Sequence, residues 1–310
     1  MALLGEGSRL ENAGTVKSLY SAAVFLTDNI ASGDLSKVIN SGTIQGSDGI
    51  SLEGSSAARI ENTGLIRSSY ADVGGKSIQA STAMGGITIV NSGRLIGDVE
   101  LGQSSDVFYN RAGTLVGEVH GGPNDDSIYG GAGAENFFGD AGDDKLYGGA
   151  RTDKLYGGAD NDLLSGENDN DLLLGESGDD YLVGGAGRDR LIGGIGADRL
   201  NGGPGADVFD FNSVAESTPA MSGRDLILGF SRTQGDRIDL STIDAKSSVA
   251  GNNGFTFIGS ASFHQEQGEL RAVKAGGKTS VAGDIDGNGT SDFLLQIVGQ
   301  LTLKATDFLL

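Results

Sequence analysis

Residues 175–210 read GESGDDYLVGGAGRDRLIGGIGADRLNGGPGADVFD and contain one nine-residue phrase four times. Each copy opens with Gly, carries Asp at its sixth place and has an apolar residue at its eighth. The same spacing runs without interruption through residues 121–210, which makes ten nonapeptides. A fixed short period predicts a repeat fold in which each copy contacts mainly its neighbours.

The apolar eighth place predicts a very short strand. In residues 190–192 the middle side chain of three points inward, and the six-residue turn 184–189 then reverses the chain. Two nonapeptides would make one coil, and stacked coils would bury one apolar column on each side. The predicted core residues are Ile128, Phe137, Leu146, Leu155, Leu164, Leu173, Leu182, Leu191, Leu200 and Phe209.

Such a core is thin, because one large apolar side chain per nine residues cannot offset the entropy lost on ordering the chain. A metal ion would supply the missing stabilisation. Glycine-rich turns expose carbonyl oxygens beside the sixth-place carboxylates, and hard oxygen donors select Ca²⁺ over Zn²⁺ or copper. Folding and binding are then expected to be one event. The predicted ligands are Asp126, Asp144, Asp153, Asp162, Asp171, Asp180, Asp189, Asp198 and Asp207.

The phrases GGAGRDRLI (184–192) and GGIGADRLN (193–201) resemble the RTX, or haemolysin-type, calcium-binding nonapeptide. The resemblance implies a parallel β-roll with Ca²⁺ held between a turn and the equivalent turn of the next coil. Ten repeats would give two columns of five turns and at most eight complete sites. A flexible Gly/Asp-rich linker is the alternative, but it has no reason to keep an apolar residue at every eighth place.

The ten turns differ in quality. Glu135 stands where the other repeats have Asp, and Arg151 stands at a fourth place that suits Gly. The weakest sites are therefore expected at the turns 130–135 and 148–153, and the strongest between 175 and 207.

An Asn-x-Gly phrase flanked by apolar residues recurs through residues 1–120. Its spacing of 19 to 29 residues is about one coil of a parallel β-solenoid, with the Asn amides stacked at a bend. The alternative is that each Asn-x-Gly only marks an isolated β-turn. The Asn residues are Asn12, Asn40, Asn62 and Asn91, and Asn110 belongs to a stretched copy, FYNRAGTL (108–115).

The last hundred residues have the texture of an ordinary β-rich unit. The stretches 209–217 and 235–245 resemble the C-terminal domain of the serralysin metalloproteases, which also ends some bacterial alginate epimerases. Gly229 departs from that pattern, since the family often has Asp there, so one calcium ligand is in doubt. The chain is thus predicted to be all-β, with solenoid coils at 1–120, a calcium β-roll at 121–210 and a cap at 211–310.

An acidic loop within this cap, DIDGNGTSDF (284–293), has the alternate spacing that suits a second kind of calcium site. A tight β-turn with solvated acids explains the spacing equally well, because no bidentate Glu follows at the twelfth place. The candidate ligands are Asp284, Asp286, Asn288 and Asp292.

Charge and composition narrow the partners. The net charge is −20, so cations are expected as partners and nucleic acid is not. Cysteine is absent, and no apolar run is long enough to span a membrane. The first residues lack the features of a secretory signal peptide. The final DFLL (307–310) resembles the secretion signal of type I export substrates, or is a last strand that covers the solenoid, or both. We therefore expect an extracellular bacterial protein exported by type I machinery.

Catalytic motifs are missing. No H-E-x-x-H zinc motif and no G-x-S-x-G nucleophile motif occurs, and the two histidines stand 144 residues apart. A non-catalytic scaffold or adhesive module is therefore expected, with no catalytic residue and no organic cofactor. The alternative is a module that binds an alginate-like polysaccharide, or part of a polysaccharide epimerase or lyase. Its candidate groove residues are Arg59, Arg67, Lys76 and Arg94.

Overall fold

The computed structural model describes residues 2–4, 9–18, 21–27, 35–54, 57–70 and 74–310. The chain forms two compact units, Met1–Gly158 and Ala159–Leu310, which are described in turn. No helix in the described ranges is long and apolar enough to cross a bilayer.

The first unit is built from parallel strands in three sheets. Sheet A has, in spatial order, β1 (Ala2–Leu4), β4 (Val24–Thr27), β7 (Ile50–Glu53), β10 (Lys76–Gln79), β13 (Asp98–Glu100), β16 (Glu118–Pro123), β18 (Asn136–Ala141) and β20 (Lys154–Ala159). Sheet B has β2 (Arg9–Asn12), β5 (Ser36–Asn40), β8 (Ala58–Asn62), β11 (Ile87–Asn91), β14 (Val107–Tyr109), β17 (Ser127–Tyr129) and β19 (Lys145–Gly149). Sheet C has β3 (Thr15–Lys17), β6 (Thr43–Gly46), β9 (Leu65–Ser68), β12 (Arg94–Ile96) and β15 (Thr114–Val116).

The coil changes shape within this unit. The early coils place one strand in each sheet, and the asparagines fall in register, as Asn40 does with Asn62. Sheet C ends at Val116, because the nonapeptides that follow are too short to make a third strand. From there each nonapeptide supplies one strand, alternately to sheets A and B.

The second unit continues the two-strand plan and adds antiparallel strands. Sheet D has β22 (Leu172–Ser177), β24 (Arg190–Ile195), β26 (Val208–Asp210), β28 (Arg237–Asp239) and β33 (Phe308–Leu309), all parallel. Sheet E has β21 (Leu163–Asn168), β23 (Tyr181–Ala186), β25 (Arg199–Asn201), β27 (Leu226–Leu228), β32 (Phe293–Val298), β31 (Lys278–Asp284), β30 (Glu269–Ala275) and β29 (Thr256–Phe257). In sheet E the antiparallel strands are β30, β31 and β32. Short 3₁₀ turns lie at Met221–Gly223 and Ala305–Asp307.

The core consists of the predicted eighth-place side chains. All ten are fully buried, from Ile128 to Phe209. The columns extend into the C-terminal part, where Ile227 pairs in register with Leu200 and Phe308 with Ile238. The predicted all-β parallel solenoid is confirmed, and the final residues do form a covering strand. The division at residues 120 and 210 remains a prediction.

Candidate metal centre

Most turns of the repeats use the left-handed backbone at their second and fourth places, although the turn 130–135 does not. In the turn 184–189 these are Gly185, with φ 108°, and Gly187, with φ 158°. Arg151 occupies a fourth place with φ 74°, as the sequence predicts. The second place was not predicted to require this conformation, yet Glu176 has φ 77° there, in a turn that was expected to be among the strongest.

The sixth-place carboxylates stack in columns. In the second unit, the backbone N–H of Asp162 donates to Asp180 Oδ1 at 2.8 Å, and that of Asp180 donates to Asp198 Oδ1 at 2.9 Å. A second column repeats the pattern, with Asp171 N–H donating to Asp189 Oδ1 at 2.9 Å. In the first unit, Asp126 N–H donates to Asp144 Oδ1 at 2.7 Å. One oxygen of each carboxylate is thus used to lock the coils in register.

The other oxygen has no hydrogen-bond partner. This holds for one buried oxygen in every sixth-place carboxylate of the described repeats. A buried carboxylate oxygen without a donor is costly unless a cation satisfies it. The atoms are Oδ2 of Asp126, Asp144, Asp153, Asp162, Asp171, Asp180, Asp189, Asp198 and Asp207, and Oε2 of Glu135.

A carbonyl oxygen converges on the same place. A Cβ added to Gly175, the first residue of its repeat, would lie 2.2 Å from Asp180 Oδ2 and 2.4 Å from the carbonyl oxygen of Gly193. The same geometry occurs at Gly184, with Asp189 Oδ2 at 2.5 Å. The invariant first glycine of the phrase therefore leaves room for two oxygens from successive coils. Carboxylate and carbonyl oxygens are the donors that Ca²⁺ takes, so the residues present fit this ion.

Burial disfavours the charged form of these carboxylates. It raises the pKa of Asp126 to about 8, helped by the nearby carboxylates of Asp106 and Asp144. Burial likewise raises the pKa of Asp144 and of Asp198 to about 7. A divalent cation between the coils would oppose both causes, since it favours the ionised form and separates like charges.

The columns extend beyond the ten repeats, which the sequence analysis missed. Asp225 Oδ1 accepts the N–H of Asp198 at 2.9 Å, and Asp236 Oδ1 accepts that of Asp207 at 3.2 Å. At the other end, Asp106 N–H donates to Asp126 Oδ1 at 2.7 Å. Each added Asp stands two places before a buried apolar residue, and that spacing was the available signal.

The asparagines form the predicted stack. Each Nδ2 donates to the Oδ1 of the next at 2.7–2.8 Å, from Asn12 through Asn40, Asn62 and Asn91 to Asn110. Asn110 Nδ2 then donates to Glu135 Oε1 at 3.2 Å. Glu135 is therefore more than a substitute for Asp, because its longer side chain joins the asparagine stack to a carboxylate column.

The acidic loop of the C-terminal part brings three predicted ligands together. Carboxylate oxygens of Asp284, Asp286 and Asp292 lie within 4.8 Å of one another. These carboxylates already accept backbone N–H groups, as Asp284 does from Gly287 and Gly289 at 2.8 Å each. Asn288 instead donates its Nδ2 to Asp286 Oδ2 at 2.8 Å. The loop is thus held together by hydrogen bonds among its own groups, and calcium binding there stays a prediction.

Comparison with known proteins agrees with this geometry. Residues 109–310 match the family model described as Peptidase M10 serralysin C terminal. The chain belongs to this family. The match is to the C-terminal part of the serralysins, a calcium-binding RTX β-roll module, and it confirms the resemblance inferred from the nonapeptides.

Two solved structures are similar to parts of this serralysin-family chain. The AlgE6R2 subunit of the Azotobacter vinelandii mannuronan C5-epimerase is 32% identical over 49% of this chain and 89% of that one, with a TM-score of 0.36. The AlgE6R3 subunit of that epimerase is 26% identical over 60% of this chain and 78% of its own, with a TM-score of 0.27. No curated protein sequence matches the chain.

Proposed function

We propose that this protein is a secreted, non-catalytic β-roll that folds when Ca²⁺ binds outside the cell. The observation that carries the proposal is the row of buried carboxylate oxygens that lack any hydrogen-bond donor. The family match supports it, because the matched serralysin region is separate from the peptidase domain. The ligands are the nine sixth-place Asp residues, and up to about eight ions would fill the repeats.

The carboxylates of the repeats make the stacking of the coils depend on Ca²⁺. Without a cation, the columns hold ionised or protonated carboxylates in a desolvated position, which opposes stacking. Bound Ca²⁺ would supply the positive charge that these oxygens lack. The Oδ1 atoms then hold successive coils in register through the amides they accept. Extracellular modules of this kind bind Ca²⁺ at about 10⁻⁴–10⁻³ M, a level that the cytosol does not reach.

Circular dichroism of the full chain tests the proposal. In EDTA the β signal should be largely lost, and millimolar Ca²⁺ should restore it in a cooperative transition, whereas equal Mg²⁺ should not. Asp189→Asn keeps an oxygen for the Asp171 amide but removes the charge, so it should raise the calcium midpoint. Asp153→Asn should raise it less, since Arg151 already strains that turn. A β signal that EDTA leaves unchanged would contradict the proposal.

Export through type I machinery is the second part of the proposal. A chain that stays open at cytosolic Ca²⁺ levels suits a narrow channel, and the terminal Asp307-Phe308-Leu309-Leu310 resembles the signal of such substrates. Removal of residues 307–310 should abolish secretion in a host that carries the transporter. Secretion of the shortened chain at the normal level would argue against this signal.

A polysaccharide is a second candidate partner, and the basic residues on sheet C favour it. Arg59 pairs with Glu61 at 2.8 Å, and Lys76 pairs with Glu100 at 2.6 Å, so these two are neutralised. Lys17, Arg67 and Arg94 lie on sheet C, and within the described ranges none of them forms an ion pair with a carboxylate.

The acidic-polysaccharide candidate has a simple test. Binding of polyuronate chains should weaken in Arg67→Gln/Arg94→Gln but not in Arg59→Gln, measured by affinity electrophoresis. If the parent, the double variant and Arg59→Gln are retarded equally, sheet C is not the binding face.

A further inference from the structure

A small cleft in the second unit is lined by three cations. It has a volume of about 240 Å³ and lies on the outer side of sheet E. Arg199 stands on β25, Arg224 lies two residues before β27, and Lys278 begins β31. Gln296 of β32 completes the polar lining. Three cations around one cleft are unexpected in a chain of net charge −20.

Each cation is held in place by a neutral group. The guanidinium of Arg199 lies 5.6 Å from the centre of the Tyr181 ring. Arg224 donates from Nη2 to the carbonyl oxygen of Pro219, and Lys278 Nζ donates to Gln296 Oε1 at 3.0 Å. The positions are thus fixed while the charges remain uncompensated.

Arg224 also carries a buried donor that has no acceptor. Its Nε is enclosed by protein and makes no hydrogen bond to the described residues. Arg271 of this unit also has a buried Nε without a partner, whereas Arg190 pairs with Asp210 at 2.6 Å and Arg232 with Asp307 at 2.7 Å. Arg224 thus lines the cleft without a carboxylate partner among the described residues, and an acceptor from outside the chain can supply the missing negative charge.

The acidic residues near the cleft do not neutralise it. Asp198 borders the cleft, but its Oδ2 is directed to Gly193 of its own repeat. The Oδ1 of Asp225 accepts the N–H of Asp198 inside the carboxylate column. Both carboxylates therefore belong to the columns described above, and the three cations face the cleft without a carboxylate partner among the described residues.

We propose that the cleft formed by Arg199, Arg224 and Lys278 binds an oxyanion, a carboxylate or sulfate, carried on a small polar molecule. Guanidinium groups match planar carboxylates and oxyanions through paired N–H donors, while lysine adds a mobile point charge. The volume is below that of pockets for drug-sized ligands, so it takes one charged group and a few attached atoms. This site is separate from the calcium function and needs only a folded second unit.

The test is a titration of the full chain in Ca²⁺, followed by ¹H–¹⁵N spectra that include the arginine Nε–H signals. The probes are sodium glucuronate, sodium sulfate and, as a neutral match for the sugar, glucose. Glucuronate should shift the Arg224 Nε–H and the amides of residues 197–199, 224–226 and 278 in a saturable manner. Glucose should leave them unchanged.

Matched variants make the result decisive. Arg224→Gln/Lys278→Gln should bind at least about tenfold more weakly, the loss expected for charge-assisted hydrogen bonds. Arg237→Gln removes an exposed arginine of sheet D from the same unit and should bind as the parent does. Circular dichroism in Ca²⁺ confirms that each variant is folded.

The outcomes separate the sources of the anion. Saturable binding of both glucuronate and sulfate supports a general oxyanion site, whereas binding of glucuronate alone supports a carboxylated saccharide. Binding of sulfate alone supports the oxyanion site with a free ion as its ligand. The proposal is overturned if no anion saturates the shifts, if glucose reproduces them, or if the double variant binds as tightly as Arg237→Gln.

Discussion

Single residues decide how well each turn closes. In most repeats the second and fourth places lie in the left-handed region, which glycine enters freely and other residues enter at a cost of about 1 kcal/mol or more. Arg151 is the least suited occupant, because Asn and Asp tolerate this conformation better. The turns therefore differ in backbone strain, and this difference acts in addition to the charge of the carboxylate.

Arg151→Gly should therefore stabilise the calcium-bound fold by about 1 kcal/mol and lower the calcium midpoint. The matched control is Arg188→Gly, which removes the same side chain from a fifth place outside the left-handed region. That control should lose stability, since glycine there only adds freedom to the unfolded chain. Calcium titrations by circular dichroism measure both, and equal shifts in the two variants would contradict the strain argument.

Most of these features of single residues were predictable from sequence. The buried leucines, the carboxylate at every sixth place and the stacked asparagines follow from local spacing. The demand at the second place was hidden because Asp140, Glu167 and Glu176 interrupt an otherwise glycine-rich pattern. The bond from Asn110 to Glu135 was also hidden, because it joins two different repeat types across 25 residues. Such contacts depend on how coils of unequal length stack.

At the scale of elements, the carboxylate columns make the stability of the fold depend on pH as well as on Ca²⁺. Each carboxyl is buried in the folded state, and burial raises the pKa of Asp126 to about 8 and that of Asp198 to about 7. The folded state therefore holds protons that the unfolded state, with ordinary Asp pKa values near 4, has released. Protons and calcium ions compete for the same oxygens.

In EDTA, the protein should therefore be more stable at pH 5 than at pH 8. The contribution of raised carboxyl pKa values is present at low pH and is lost as pH rises from about 4 to about 8. Saturating Ca²⁺ should remove or reverse this trend, because ionised carboxylates bind the ion better. The β signal at both pH values, with and without Ca²⁺, measures the effect, and a larger folded fraction at pH 8 than at pH 5 in EDTA would contradict it.

At the scale of the molecule, the C-terminal residues continue the columns of the repeats. Ile227 and Ile238 follow Leu200 and Phe209 in register, and Phe308 closes the same sheet beyond Ile238. The last coil of the repeats is thus covered by strands of residues 211–310, among which β30, β31 and β32 pair antiparallel. An uncovered end would expose apolar side chains and unpaired strand edges.

Removal of residues 211–310 should accordingly raise the Ca²⁺ concentration needed to fold the remaining repeats several-fold. The control is deletion of residues 175–192, one whole coil, which keeps the covered end and should cost less. Both chains are purified and titrated with Ca²⁺ under circular dichroism. If the chain without 211–310 folds at the calcium concentration of the parent, covering of the end does not nucleate folding.

Within the repeats of the second unit, the amide-to-carboxylate hydrogen bonds of each column join residues 18 apart, while the phrase itself is nine residues long. Two nonapeptides therefore make one coil, and whether their number is odd or even decides which sheet receives the next strand. Gain or loss of an even number leaves every later strand on its own sheet. A change of one would transfer all later strands to the opposite sheet and pair each carboxylate with the wrong column. Duplication in this chain is therefore expected to proceed in steps of two.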